Sequence, residues 1–151
     1  MQTLGMLLKQ KNSSIITSVE PTMAVSRAVQ TMNDANVGAA VVLEQQRLVG
    51  ILTERDIMVR VVGEGRDPHR TTVSEVMTSS LYTATPTTLV REAMKAMSER
   101  RYRHLPVIEN SILCGLISMG DVTHWIIREQ AEQFDRAIGA VKQMGYSNRR
   151  G

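Results

Sequence analysis

The sequence predicts a mixed α/β (α+β) fold built from two copies of one β-α-β-β-α unit and extended by a long C-terminal helix. Three observations predict it. The same 65 residues separate Pro21 from Pro86, Gly50 from Gly115 and Asp56 from Asp121, so the halves align without a gap. Laid on residues 80–123, residues 15–58 agree at Pro21, Thr22, Val25, Ala28, Met32, Val42, Glu44, Leu48, Gly50 and Asp56; random usage would leave roughly three matches. Within each half, short β-rich runs alternate with stretches at the helical period, and past the second copy apolar residues continue at that period as far as Val141.

Leu4, Leu7 and Leu8 predict a short amphipathic helix over residues 3–10. Ser14 to Val19 is β-rich and predicts a strand ending at Glu20-Pro21. Val25, Ala28, Val29 and Met32 set a helix from Thr22 that breaks at residues 36–38. Ala39 to Leu43 and Leu48 to Leu52 read as the arms of a hairpin around Gln45-Gln46-Arg47. Asp56 to Val62 is then helical and stops at Gly63. Residues 63–72 hold two glycines, a proline and several charges, which predicts an exposed linker. Thr72 and Glu75 have capping-box spacing for a short helix through Met77. The order repeats as strand Leu81 to Ala84, helix Thr88 to Arg100, strands Leu105 to Ile108 and Ile112 to Ser118, and a final helix. The expected division is residues 1–65, a first repeat with its N-terminal helix; 66–130, a second repeat; and 131–151, a helical extension and tail.

Along residues 122–144, Val122, Ile126, Phe134, Ile138 and Val141 keep a partly apolar face longer than a compact repeat needs. Such a stripe asks for cover. It packs across a homodimer interface or folds back on its own module, and Ser147 to Gly151 is expected to fray.

Composition narrows the function. Hydrophobic residues make up 42% of the 151, enough for a core, and with 3% aromatics and ten methionines that core is aliphatic and sulfur-rich. The net charge of +3 is spread among acids. That favours a small anionic ligand over a nucleic-acid groove, and three tyrosines, one tryptophan and one phenylalanine offer no stacking platform for bases. The single Cys114 cannot form an internal disulfide, which points to the reducing cytoplasm. No run approaches a membrane span or a signal peptide. His69, His104 and His124 stand at no metal-ligand spacing, and Ser118 has no histidine partner that would make it a nucleophile. Arg100-Arg101-x-Arg103 reads as a solvated helix end favoured by the dipole.

The stretch Gly50-Ile51-Leu52-Thr53-Glu54-Arg55-Asp56 recurs as Gly115-Leu116-Ile117-Ser118-Met119-Gly120-Asp121. In each, a hydroxyl residue ends an apolar strand and an aspartate follows three positions later at a helix start. One reading is a capping box that ties down the first helical amides. The other is a nucleotide site, in which the aspartate accepts hydrogen bonds from both ribose hydroxyls. Thr53 or Ser118 then adds a contact, and the first-turn amides bind phosphate.

The segments Leu52-Thr53-Glu54-Arg55-Asp56-Ile57 and Arg103-His104-Leu105-Pro106-Val107-Ile108 are close to the commonest wording of the CBS (cystathionine beta-synthase) domain. Over nearly the whole chain the halves resemble a tandem CBS pair. That resemblance implies a stand-alone, non-catalytic module with two repeats packed about a pseudo-twofold axis. It also implies adenosine-containing ligands in the clefts between repeats, with ribose and phosphate contacts from Thr53, Asp56, Ser118 and Asp121. It further implies that Arg103 and His104 supply cations to the phosphates. The first half has Gly38 and Ala39 there, with Arg55 as a substitute where the second half has Gly120, so the second site is expected to grip phosphate more strongly. Ile16-Thr17 and Leu81-Tyr82, with Ala39-Ala40 and Leu105-Pro106, would form a flat slot for adenine, although Tyr82 reads equally well as core. The expected ligand is AMP, ADP, ATP or NAD(H), with no cofactor required. The alternative is a constitutive interaction or dimerisation module for an unidentified protein target, its hydroxyl and aspartate pairs acting only as helix caps. Nucleic-acid binding ranks last.

Overall fold

The computed structural model describes residues 2–11 and 15–147. In each repeat an antiparallel hairpin forms first in the logic of the fold, because its turn is local. Strands β2 (Ala39–Glu44) and β3 (Arg47–Thr53) are joined through Gln45 and Gln46, and β4 (His104–Glu109) and β5 (Ile112–Ser118) through Asn110 and Ser111. All four turn residues have φ between 49° and 66°, the left-handed pair whose twist matches the flanking strands. Both hairpins also step register at the same place, between Val42 and Leu43 and between Val107 and Ile108. Such a bulge bends the strand. The duplication thus extends to irregularities.

The third strand differs between the halves. Strand β1 is only Ser18–Val19, parallel to β2, and the Val41 amide donates to Thr17 O at 3.0 Å. The expected start at Ser14 lies outside the described residues. The expected strand Leu81 to Ala84 does not form; Ala84 alone bridges to Val107. Pro106 stands where the first repeat has Val41, and proline has no N–H to donate.

The helices are α1 (Leu4–Gln10), α2 (Val25–Asp34), α3 (Glu54–Asp56), α4 (Val73–Val76), α5 (Val90–Arg100) and α6 (Met119–Ser147). Helix α3 runs on into a π-helical segment, Ile57–Val62. Thr53 with Asp56 and Thr72 with Glu75 both form complete capping boxes. Helices α2 and α5 begin later than the sequence suggests and carry no side-chain cap. Their first amides donate instead to backbone carbonyls from distant segments, Val25 N to Thr71 O at 2.9 Å and Val90 N to Gln2 O at 3.0 Å. Residues 63–72 are mostly exposed, as expected of a linker, but they are tied to the first repeat. Thr71 is buried, and Ser26 N donates to Pro68 O.

These contacts reveal an exchange. The N-terminal helix, expected with the first repeat, packs on the second: Leu4 and Leu7 share a core with Val90, Met97, Leu105 and Ile117. Helix α4, expected with the second repeat, packs on the first, where Val73 and Val76 join Val25, Met32 and Leu52. Glycines make room for both exchanged segments. A Cβ at Gly50 would lie 2.6 Å from Met77 Sδ, and one at Gly115 2.5 Å from a Leu8 methyl.

Helix α6 is continuous over 29 residues. Val122 is buried, and Trp125 and Ile126 pack against the second core. From residue 130 to residue 144 every side chain is exposed. The fold-back expected as one alternative is not what this helix does. The tail at 148–151 lies outside the described residues.

Candidate functional site

Between the repeats lies a cleft of about 620 Å³. The first repeat contributes Gly38, Ile51, Met58 and the helix start Thr53-Glu54-Arg55. The segment joining the repeats contributes Thr78, Ser80, Leu81 and Tyr82, and the second repeat residues 101–104 and Pro106. Two equivalent backbone bonds hold the helix starts against the strands: Glu54 N donates to Gly38 O at 3.0 Å, and Met119 N to Arg103 O at 2.8 Å. A Cβ at Gly38 would sit 2.9 Å from the Glu54 carboxyl carbon, so the Glu54 side chain would have to turn aside.

The cleft is electropositive. Arg55, Arg101 and Arg103 line it against the single carboxylate of Glu54, a balance that attracts anions. Arg101 caps α5 in a left-handed conformation, φ 57°. Its neighbour Arg100 stacks over the Tyr82 ring at 4.8 Å, a cation–π contact that steadies the ring. Tyr82 packs on the second core and lines the cleft. The arginine run read as a solvated helix end is thus part of the cleft wall.

His104 differs from its expected role. Burial holds its pKa below the ordinary imidazole value, Lys11 and Arg103 push the same way, and the nearby Asp121 and Glu54 do not offset them. At neutral pH it is an uncharged hydrogen-bonding ring rather than a cation.

The two aspartates are already engaged. Asp56 is 8% exposed. Its Oδ2 accepts from Thr53 N at 2.9 Å and Thr53 Oγ1 at 3.0 Å, and its Oδ1 from Thr78 Oγ1 at 2.9 Å. Asp121 Oδ2 accepts from Ser118 N at 2.8 Å and Lys11 Nζ at 2.9 Å, and Lys11 also donates to Leu116 O. Burial works against ionisation of Asp121, but the Ser118 amide and Lys11 outweigh it and hold the carboxyl below its usual value. Neither aspartate lines the large cleft. Asp121 borders a smaller cavity of about 220 Å³ with Lys11, His124, Trp125 and Arg128.

Of the residues expected from sequence, Gly38, Thr53, Arg55, Tyr82, Arg103, His104 and Pro106 come together in one cleft. Arg55 and Arg103, expected in separate sites, face the same space. Ala39 and Ala40 are buried within β2, and Thr17 and Ser118 do not line the cleft. Thr78 pairs with Ser13 under the 65-residue shift, and Ser13 lies outside the described residues, so the counterpart cleft is only partly described. Glu54, Met58, Thr78, Ser80, Leu81, Arg101 and Tyr102 also line the cleft. The sequence signals Leu81 through the expected adenine slot and Arg101 through the arginine run. No helix among the described residues is long and apolar enough to cross a membrane.

Known proteins match this architecture. A model of the CBS domain matches residues 13–63 and 73–128. The CBS domain-containing protein CBSX3, mitochondrial, of Arabidopsis thaliana is 42% identical over 124 residues, covering 79% of this chain and 60% of that protein. The chain therefore spans less than two thirds of that relative. The CBS domain-containing protein YhcV of Bacillus subtilis is 35% identical over 115 residues, covering 76% of this chain and 81% of its own. A solved protein with CBS domains from Burkholderia ambifaria MC40-6 superposes with a TM-score of 0.82 at 35% identity, covering 85% of this chain and 96% of that one.

Proposed function

The chain belongs to the CBS-domain family, whose members are in general regulatory modules, and from that premise we propose that it is a non-catalytic sensor of an adenine nucleotide. AMP, ADP, ATP or NAD(H) binds in the inter-repeat cleft, and its occupancy is passed to a partner. One observation carries this reading: Arg55, Arg101 and Arg103 converge with Tyr82 and Tyr102 in one cleft of about 620 Å³. Guanidinium groups match phosphate oxygens in charge and in fork geometry. An aromatic ring steadied by Arg100 offers a face to the base, and Thr53, Ser80 and neutral His104 supply polar contacts.

Ribose contact with Asp56 carries a condition. The Thr78 hydroxyl lines the cleft and occupies Asp56 Oδ1, so a ribose hydroxyl must take its place. In the counterpart cleft, Ser118 and Asp121 would meet the ligand in competition with Lys11. The ligand's leverage equals its difference in affinity between two arrangements of the module. Exposed Cys114, with no disulfide partner in the chain, fits a reducing compartment such as the cytoplasm.

Thermal unfolding with AMP, ADP, ATP, NAD, NADH and S-adenosylmethionine tests the proposal. A ligand at a hundred times its dissociation constant adds ~2.7 kcal/mol, which moves the midpoint by several degrees. Arg101→Ala with Arg103→Ala removes the shift. If no compound moves the midpoint, the sensor reading fails. The constitutive interaction module then stands, a reading favoured by the internal partners that both aspartates already have.

A further inference from the structure

The turns that lead from α2 into β2 and from α5 into β4 share one backbone and carry different side chains. Asn36, Val37 and Gly38 of the first repeat correspond to Arg101, Tyr102 and Arg103 of the second. Val37 N donates to Met32 O at 3.1 Å and Tyr102 N to Met97 O at 3.0 Å. Gly38 O and Arg103 O accept from Glu54 N and Met119 N, the amides that open α3 and α6. Asn36 and Arg101 both take the left-handed conformation, with φ of 53° and 57°. Glycine and asparagine suit that conformation, whereas a long side chain there is disfavoured. Asparagine closes the same turn in the first repeat, so the backbone gives no reason for an arginine in the second. The cleft gives one: Arg101 lines it and Asn36 does not.

We propose that Arg101 sets the cleft's preference by phosphate number, favouring a nucleoside di- or triphosphate over a monophosphate. The inference rests on the sensor reading and names its ligand class. Within residues 100–103, Arg100 is committed to the Tyr82 ring, which leaves Arg101 and Arg103 to join Arg55 from the first repeat. Among the described residues none of these three is in a salt bridge, and the cleft's one carboxylate is Glu54. All three charges are open to a ligand. A monophosphate carries at most two negative charges, and two guanidiniums answer it. Each further phosphate adds charge and acceptor oxygens along a chain, and only then does a third guanidinium find a partner of its own.

Isothermal titration of the full chain with AMP, ADP and ATP at one ionic strength tests this. The parent binds ATP about tenfold or more tightly than AMP, the scale of one charge-assisted bond. Arg101→Asn, which copies the first repeat, lowers ATP affinity about tenfold and AMP affinity less than about twofold, so the preference disappears. Its ligand-free unfolding midpoint is no lower than the parent's, because asparagine takes the left-handed conformation more readily. Arg101→Lys keeps the charge without the fork and falls between the two. Equal losses for AMP and ATP in Arg101→Asn overturn the inference and leave the sensor reading standing. So does a lowered midpoint in that variant, which marks Arg101 as structural, and so does a parent that prefers AMP or binds only NADH. A parent that binds no adenine nucleotide overturns both.

Discussion

Asp56 and Asp121 occupy the same place in the two repeats and accept the same backbone bond, from Thr53 N in one and Ser118 N in the other. Their remaining partners differ. Asp56 is closed over by the Thr78 hydroxyl, whereas Asp121 is paired with the Lys11 ammonium at 2.9 Å. Under the 65-residue shift the position of Lys11 is held by Val76, which is fully buried in the first core. The motif itself has scarcely diverged. Divergence came from the exchanged segments, because each repeat takes its last wall from a piece of chain outside the duplicated hairpin. The first aspartate therefore sits behind a neutral gate beside the cleft, and the second serves as an ionic latch that ties α1 to the second repeat.

Asp56→Ala should have the largest effect. It leaves the Thr53 amide and the Thr78 hydroxyl without their acceptor and removes the capping box, costing about 3 kcal/mol in urea unfolding. Asp121→Ala should cost about half as much, ~1.5 kcal/mol, because its side chain is 22% exposed and Lys11 can turn to water. Equal costs would erase the distinction between gate and latch.

The paired glycines sharpen the same contrast. Gly50→Ala drives its Cβ against Met77 Sδ and the backbone oxygen of Thr78, which is fixed by Ile51 N. Gly115→Ala meets only the end of the Leu8 side chain. Overpacking of the first kind costs about 1–3 kcal/mol, and the second under about 1 kcal/mol. Thermal midpoints of the two variants measure the difference directly, and a larger loss at Gly115 would count against the account of the exchanged segments.

Lys11→Met should have the smallest effect, about 1 kcal/mol at neutral pH for a partly buried pair. Its signature is in the acid limb. The folded Asp121 carboxyl titrates below its unfolded value, so its contribution is complete above the unfolded range near ~3.9 and is lost as pH falls through the lower folded value. Removing Lys11 brings the folded value back toward the unfolded one, so the variant loses less stability than the parent between neutral pH and about pH 3. Denaturant titrations at the two pH values give the comparison. Identical acid losses would mean that the latch is not electrostatic.

Much of the fold was legible because its decisive interactions are local. Thr53 with Asp56 and Thr72 with Glu75 lie within one helical turn, and the sequence shows both partners. The hairpins likewise depend on two-residue turns flanked by apolar runs. The missed elements have distant causes. The strand expected at Leu81 to Ala84 fails because Pro106, more than twenty residues away, lacks the amide that Val41 supplies to Thr17. Arg101 and Tyr102 follow a helix and look solvated until the first repeat closes over them. His104 looks like a cation until its burial is known.

The sequence by itself determined the duplication, the capping chemistry at each strand-to-helix turn and the partly apolar face along α6, because spacing within a few residues suffices for each. The exchange of α1 and α4 between cores, the union of Arg55 with Arg101 and Arg103 in one cleft, and the different partners of Asp56 and Asp121 were settled only by tertiary packing. Leu4, Leu7, Val73 and Val76 are apolar and helical wherever they go. Which core receives them depends on the shape left beside Gly50 and Gly115, and that shape exists only once both hairpins have folded.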